Sequence, residues 1–174
     1  MPLVSTMSRV ALPMVRDHFA LGADTTAWID VAFTLPFMIL MPVYGRLSDG
    51  LGPRRLILLG IAIFSVGTLI ILTATGLGGI LLGRAVQGIG LAGMMPLGMA
   101  LVTAIFPPKE RGRALGTWST VGPTTGFLGP LAAGFMVAAW GWEGAYAPPL
   151  LFGLIAVIAV LKAVPARPAT ADFL

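Results

Sequence analysis

Hydrophobic residues fall in long runs, which short clusters of glycine, proline and charged residues separate. Each run has about 20 residues, enough for an α-helix about 30 Å long, which is the thickness of a bilayer's hydrocarbon core. The pattern predicts membrane-spanning helices at 25–44, 55–75, 78–105, 113–139 and 145–163. Residues 1–16 are also apolar, but Arg9 interrupts them, and we interpret them as part of a further helix that is incomplete at its start.

Composition supports a membrane protein. Hydrophobic residues make up 57% of the chain and charged residues only 10%, whereas about a quarter of an average soluble domain is charged. The predicted fold class is therefore an all-α membrane protein, with a helical bundle at 1–164 and a cytoplasmic tail at 165–174. Lipid is its expected surrounding.

The same composition excludes several kinds of chemistry. The chain has no cysteine and one histidine, His18, so neither a disulfide, a thiol nucleophile nor a metal site of histidine and cysteine is expected. No cofactor is predicted. The excess of 11 Lys and Arg residues over 7 Asp and Glu residues is small, and its placement explains it better than binding to nucleic acid does.

Basic residues are concentrated in alternate connections between the predicted helices. With the incomplete helix at 1–16 counted as the first, the basic residues follow the second, fourth and sixth helices. They are Arg46, Arg54, Arg55, Lys109, Arg111, Arg113, Lys162 and Arg167. The opposite connections carry only Arg16. Because connections rich in Lys and Arg stay on the cytoplasmic side, we expect a multi-pass protein of the cell membrane with a cytoplasmic C-terminus.

The stretch from Gly45 to Arg55 holds an unusual density of charge and glycine. Glycine permits a tight turn, and Asp49 could accept hydrogen bonds from the N–H groups that begin the next helix. We therefore predict a loop here. The simpler alternative is a solvated basic loop that only sets the orientation of the protein.

Apart from Arg9, two charged residues lie well inside predicted helices rather than at their ends. Arg84 is about six residues into the fourth helix and Asp30 about five residues into the second, counted from the same membrane face. A lone arginine near the centre of a spanning helix costs about 2.5–3.5 kcal/mol, so we predict that the two side chains pair, with Gln87 on the same helix face as Arg84. Alternatively, Arg84 extends to the interface and Asp30 is hydrated alone.

Small residues and prolines recur in the fifth predicted helix, which also carries Trp118. Small residues let membrane helices approach each other closely. Those that we expect to pack in this way belong to one motif and are Gly116, Gly129, Pro130 and Gly134. Packing alone explains this pattern about as well as a functional role does.

Three of these segments resemble motifs of the major facilitator superfamily, in the expected order along nearly the whole chain. The first is G-x-L-x-D-x-x-G-x-[KR]-[KR], which begins at Gly45 and ends at Arg55. The second is R-x-x-Q-G-x-G, from Arg84 to Gly90, and the third is the fifth-helix motif from Gly116 to Gly134. The pattern is most similar to the drug:proton antiporter families, which export drugs.

The resemblance implies the N-terminal six-helix bundle of a transporter rather than an enzyme. It implies proton-coupled efflux of small hydrophobic or cationic compounds, bound between two such bundles. The implied gating-loop residues are Gly45, Asp49, Gly52, Arg54 and Arg55. The implied residues of the proton and substrate pathway are Arg84, Gln87, Asp30 and Trp118.

The first helix departs from the family pattern and leaves alternatives open. Val4 stands where drug exporters often carry an acid and Arg9 where they carry asparagine, so Arg9 could equally favour an anionic substrate. The chain could also act as a half-transporter, as a homodimer or beside a separate second half. A non-transporting scaffold or truncated fragment is the further alternative.

Overall fold

The protein is described by a computed structural model at residues 2–146 and 148–163, where all regular secondary structure is helical. This confirms the predicted all-α class. The α-helices are α1 (Pro2–His18), α2 (Ala23–Leu51), α3 (Pro53–Leu72), α4 (Leu77–Leu91), α5 (Met94–Ile105), α6 (Pro108–Trp140) and α7 (Pro148–Ala163). A short 3₁₀ helix, Trp142–Ala145, lies between the last two.

Helix α4 lies at the centre of the bundle and packs most extensively against α3 and α2. Glycine allows this contact: a Cβ atom on Gly90 would lie 2.5 Å from the carbonyl oxygen of Gly60 in α3, and the reverse distance is equally short. Helix α1 packs against α6 and α7 against α3. The small residues thus bring backbones together where two leucine side chains would hold them apart.

The described residues include four helical segments long and apolar enough to cross a membrane: Asp24–Leu51, Pro53–Leu72, Leu77–Thr103 and Pro108–Trp140. Pro148–Lys162 is apolar but shorter. Large hydrophobic side chains point outward, for example Phe135, which is 80% exposed, and Phe127, which is 73% exposed. Such a surface suits lipid or another apolar helix, and it agrees with a multi-pass membrane protein.

The predicted loop from Gly45 to Arg55 is wrong as a loop. Helix α2 continues to Leu51 and α3 begins at Pro53, so Gly52 alone joins them. Gly52 has φ 78° and ψ 146°, a backbone conformation essentially restricted to glycine, and Pro53 suits the first turn of a helix because its missing N–H needs no partner there. One residue therefore reverses the chain.

Asp49 does not cap α3 as predicted. It lies in the last turn of α2, while the N-cap position of α3 is Gly52 and makes no side-chain hydrogen bond. The sequence suggested a cap because the loop was expected to begin several residues earlier.

The fourth predicted helix, 78–105, is interrupted at Ala92 and Gly93 and forms α4 and α5. Pro96 has no N–H to donate to the carbonyl oxygen of Ala92, so one helical hydrogen bond is missing at this point. The backbone stays close to helical, since Leu97 still donates to the carbonyl oxygen of Gly93 at 2.9 Å. The segment is one span with a defect near its middle.

The remaining boundaries differ by a few residues from the prediction. Helix α6 begins at Pro108 rather than 113, and α7 begins at Pro148 rather than 145. Pro108 suits the first turn of a helix, and Glu110 in that turn faces the positive end of the helix dipole, so α6 can begin early. Arg111 then joins this start to the end of α5, because its guanidinium donates to the carbonyl oxygens of Phe106 (3.1 Å) and Thr103 (2.8 Å). The predicted tail at 165–174 lies outside the described residues.

Candidate functional site

Arg84 of α4 is fully buried and is held by three acceptors. Its Nη2 donates to Oδ1 of Asp30 at 3.3 Å, which is also an ion pair. Its Nη1 donates to Oε1 of Gln87 at 3.1 Å, and its Nε donates to the carbonyl oxygen of Ile29 at 3.4 Å. The structure therefore brings together Arg84, Gln87 and Asp30, as their depth and spacing predicted.

The polar network continues from Gln87 into α3. Nε2 of Gln87 donates to Oγ1 of Thr68 at 2.9 Å, and Thr68 donates in turn to the carbonyl oxygen of Phe64 at 3.0 Å. The guanidinium of Arg84 also lies 4.7 Å from the centre of the Phe33 ring, a cation–π distance. Within the described residues, every buried side-chain nitrogen and oxygen has a hydrogen-bond partner.

Asp30 connects this buried network to an exposed arginine. Its Oδ2 lies 3.7 Å from Nε of Arg9 in α1, while its Oδ1 faces Arg84. The side chain of Asp30 is 35% exposed and that of Arg9 is 74% exposed, against 0% for Arg84. The three charges thus form a short line from the surface of the bundle to its interior.

Gly88 permits this arrangement, because it lies where α2 crosses α4. A Cβ atom at Gly88 would collide with the carbonyl group of Phe33. Any larger residue would push α2 away and lengthen the distance from Asp30 to Arg84. The glycine after Gln87 therefore positions the ion pair on which the site depends.

Several members of this network were not found from the sequence. They are Phe33, Thr68, and Arg9 as a partner of Asp30. Ser8 was missed as well: its Oγ lies 3.0 Å from the Tyr146 hydroxyl, a buried hydrogen bond that fixes α1 against the connection between α6 and α7. A polar residue in an otherwise apolar helix was the available signal for Thr68.

Trp118 lies elsewhere in the structure. It packs on Gly98 of α5. Gly98 is 14 residues after Arg84 in the sequence, which corresponds to about 20 Å along the span formed by α4 and α5. There it lines an open pocket of about 590 Å³ between α5 and α6, whose other residues include Phe106, Glu110 and Arg113. Trp118 and the Arg84 cluster therefore do not form one site within the described part of the chain.

The predicted gating residues lie around the Gly52 turn without forming an ion network among themselves. In residues 2–146 and 148–163, Asp49 has no ion pair within 4.0 Å. Arg54 donates to the carbonyl oxygen of Leu161 in α7 at 3.2 Å, while Asp49 and Arg55 are exposed. These two side chains are free to meet charges from outside the described residues.

The fifth-helix motif makes little contact within this bundle. Gly129 is buried, but Gly116, Pro130 and Gly134 are exposed. Apart from the adjacent residues and the backbone of the same helix turn, no described atom lies within 4 Å of the position that a Cβ atom would occupy at Gly116 or Gly134. Close packing by these two glycines is therefore absent inside the described chain and stays a prediction for another helix.

Together, the apolar spans and the satisfied charges between them define a multi-pass membrane protein with a polar network inside its helical bundle. The family model described as Major Facilitator Superfamily matches residues 1–173, and the chain belongs to this superfamily. That membership, in a family of transporters, agrees with the prediction that the chain is not an enzyme.

Similar proteins include transporters and multidrug resistance proteins. An uncharacterized MFS-type transporter of Mycobacterium tuberculosis is 36% identical over 95% of this chain and 29% of its own length. Multidrug resistance protein Stp of the same species is 31% identical over 87% of this chain and 28% of its own length. A probable actinorhodin transporter of Streptomyces coelicolor is 33% identical over 94% of this chain and 29% of its own length. The chain thus spans less than a third of the length of each of these relatives.

Proposed function

We propose that this chain forms one bundle of a secondary transporter that exports small hydrophobic compounds from the cell. The observation that supports this most directly is the ion pair between Arg84 and Asp30 at membrane depth. Ionisable groups inside a membrane bundle are expensive and usually mark a pathway for ions or substrates. The similar proteins point the same way, since two of them are named as transporters and one as a multidrug resistance protein.

Asp30 is the group that we propose to bind and release a proton. Its exposed fraction of 35% gives it access to water, and both of its oxygens face arginines. Binding a proton neutralises the carboxylate, so the attraction to Arg84 and Arg9 falls and the two helices that carry these arginines are held less tightly against α2. Proton binding is thereby coupled to the packing of α1 and α4 on α2.

The proposed gate lies at the turn between α2 and α3. Asp49 and Arg55 are exposed beside Gly52 and lack ion-pair partners in the described residues. We propose that they contact a second six-helix bundle, or a second copy of this one, in one of the two transport states. The exposed Gly116 and Gly134 support this arrangement, because small residues without a neighbour suit an approaching helix.

We place this bundle in the cell membrane, with the Gly52 turn and the C-terminus in the cytoplasm. The basic residues beside the turns between α2 and α3 and between α5 and α6 support this orientation.

An efflux assay tests the proposal with the Asp30→Asn variant in cells that express the full protein. The asparagine keeps an oxygen that accepts from Arg84 but cannot ionise, so export of Nile red, an uncharged hydrophobic dye, should fall about tenfold or more and lose its dependence on external pH. Arg16→Gln is the matched control, because Arg16 is also an exposed arginine of α1 but pairs with Asp17 at 3.1 Å and is not part of the network. Unchanged export and pH dependence in Asp30→Asn would remove Asp30 from the mechanism.

A further inference from the structure

Arg9 is exposed at a depth where exposure to lipid is costly. Its side chain is 74% exposed and lies 3.7 Å from Asp30, which belongs to a membrane-spanning segment. A charged guanidinium at this depth must face water, protein or a bound anion, because hydrocarbon cannot solvate it. The exposed side of Arg9 therefore borders an aqueous cavity or a binding partner.

The charges around Arg9 do not cancel. Two arginines share a single carboxylate, which leaves one positive charge in the group formed by Arg9, Asp30 and Arg84. The nearest further acidic residue on α1 is Asp17, and it is paired with Arg16 at 3.1 Å. Asp24, in the first turn of α2, lies six residues before Asp30, about 9 Å along the helix axis. The group of Arg9, Asp30 and Arg84 itself is thus electropositive.

Only one of the two arginines can contact a solute. Arg84 is fully buried, and each of its three nitrogens already donates to an acceptor. Arg9 has one long contact through Nε, and its two terminal nitrogens make no hydrogen bond with the described residues. These nitrogens form a planar fork that matches the oxygens of a carboxylate, sulfonate or phosphate.

We propose that Arg9 binds the anionic group of an organic anion, and that the substrate of this site is anionic rather than cationic. Arg84 offsets the charge of Asp30 from behind, so the carboxylate does not cancel the charge of Arg9. A cation would instead meet the unbalanced positive charge of Arg9 at the entrance. This proposal deepens the proposed export function, but binding can be measured without transport.

A single cysteine provides the measurement, because the chain has none of its own. Thr34 is exposed and lies one helical turn beyond Asp30 on α2, where its hydroxyl donates to the carbonyl oxygen of Asp30. Cysteine at this position, Thr34→Cys, is within about 10 Å of the guanidinium of Arg9. Its reaction with N-ethylmaleimide, in membranes containing the full chain, reports a ligand bound beside Arg9.

The probes are naphthalene-1-sulfonate and 1-naphthylmethylammonium, which share one ring system and carry opposite charges. The sulfonate should slow the labelling of Thr34→Cys, and the ammonium should not. Adding Arg9→Gln should raise the half-protecting concentration of the sulfonate about tenfold or more, since a charge-assisted hydrogen-bond pair is lost. Arg9→Lys keeps the charge but loses the planar fork, so its half-protecting concentration should lie between those of Thr34→Cys alone and of the Arg9→Gln variant.

Arg16→Gln is again the control and should leave protection unchanged. Equal protection by both probes, no protection by the sulfonate, or protection that survives Arg9→Gln would each overturn the proposal. A protein that binds the sulfonate through Arg9 but exports nothing would instead contradict the proposed export function alone.

In a second variant, the half-protecting concentration of the sulfonate should fall instead of rise. Asp30→Asn removes the one negative charge from the group, so the sulfonate should protect the introduced cysteine at a concentration about two- to tenfold lower than in Thr34→Cys alone. Weaker protection in Asp30→Asn would mean that the carboxylate, and not Arg9, organises binding, and it would also overturn the proposal.

Discussion

Arg84 and Asp30 form one ion pair but differ in their access to water. Arg84 is fully buried, whereas Asp30 is about a third exposed. A charge left behind after substitution of its partner costs most where water cannot reach it. The two residues should therefore respond differently to substitution, although they make the same contact.

We predict that Asp30→Ala destabilises the bundle more than Arg84→Met does. Asp30→Ala leaves the buried guanidinium without a counterion, which should cost about 3–5 kcal/mol. Arg84→Met removes the buried charge and fills similar space, so its main cost is the lost partner of Gln87, about 1–3 kcal/mol. Thermal unfolding in detergent, followed by the fraction of monodisperse protein, measures both.

The double variant supplies the check. Because the two substitutions remove the same interaction, their combined effect should be smaller than the sum of the single effects. Additive effects, or a larger cost for Arg84→Met, would show that the pair does not carry the stability of this region.

Depth along each helix was enough to predict that Arg84 and Asp30 meet. Both lie at similar distances from the same membrane face, and a buried charge needs a partner. Depth alone did not show which residues of the other helices lie beside Arg84 and Asp30. Arg9 and Phe33 were missed as its neighbours for this reason. Depth also did not reveal that Trp118 of α6 packs against Gly98 of α5 rather than beside Arg84.

At the scale of helices, close contact depends on a few positions where backbones meet. Gly60 and Gly90 are buried where α3 crosses α4, whereas Gly116 faces open space on α6. The sequence alone did not separate the two kinds of glycine, since both lie in predicted spanning helices that are rich in small residues.

We predict that Gly90→Ala destabilises the protein and that Gly116→Ala does not. The new methyl group at Gly90 would lie 2.5 Å from the carbonyl oxygen of Gly60 and force the helices apart, at a cost of about 1–3 kcal/mol. At Gly116 alanine meets nothing and gains up to about 1 kcal/mol of helix propensity. The same unfolding assay compares them.

Equal melting temperatures for the two variants would contradict the α3–α4 contact. If Gly116→Ala lowers export without lowering the melting temperature, the residue acts on a partner outside the described chain, as the proposed second bundle requires.

Helix ends were the least predictable part of these elements. Hydropathy treats the polar stretch from Gly45 to Leu51 as a loop, yet these residues continue α2 to its end. Helical hydrogen bonds do not require apolar side chains, so a helix that leaves the membrane extends into water as long as its backbone stays bonded. Only Gly52, with its positive φ, stops it.

At the scale of the whole molecule, the alternation of charge predicts a single orientation in the membrane. Because the chain lacks cysteine, single cysteines can be labelled without background. Leu51→Cys and Gly112→Cys should react with a membrane-impermeant maleimide only after the cells are permeabilised, and Thr75→Cys should react in intact cells. Labelling of positions 51 and 112 from opposite sides would exclude the proposed topology.

The fold class could be predicted from the sequence, because a spanning helix must be apolar over about 20 residues. The family could be predicted from the three motifs, which lie in the expected order along the chain. The arrangement of faces around α4 was not accessible, since it depends on how each helix rotates about its own axis. The exposed apolar surface of α6 shows the same limit, because hydropathy cannot separate a side that meets lipid from one that meets another helix.

The single-residue link at Gly52 has a mechanical consequence. With no spare chain between them, α2 and α3 cannot slide past each other at this end, and relative motion is limited to torsion about the two backbone angles of one glycine. A force on Arg55 at the start of α3 would therefore be transmitted to α2 as a rotation about Gly52. Such a rotation would displace Asp30, which lies near the opposite end of α2.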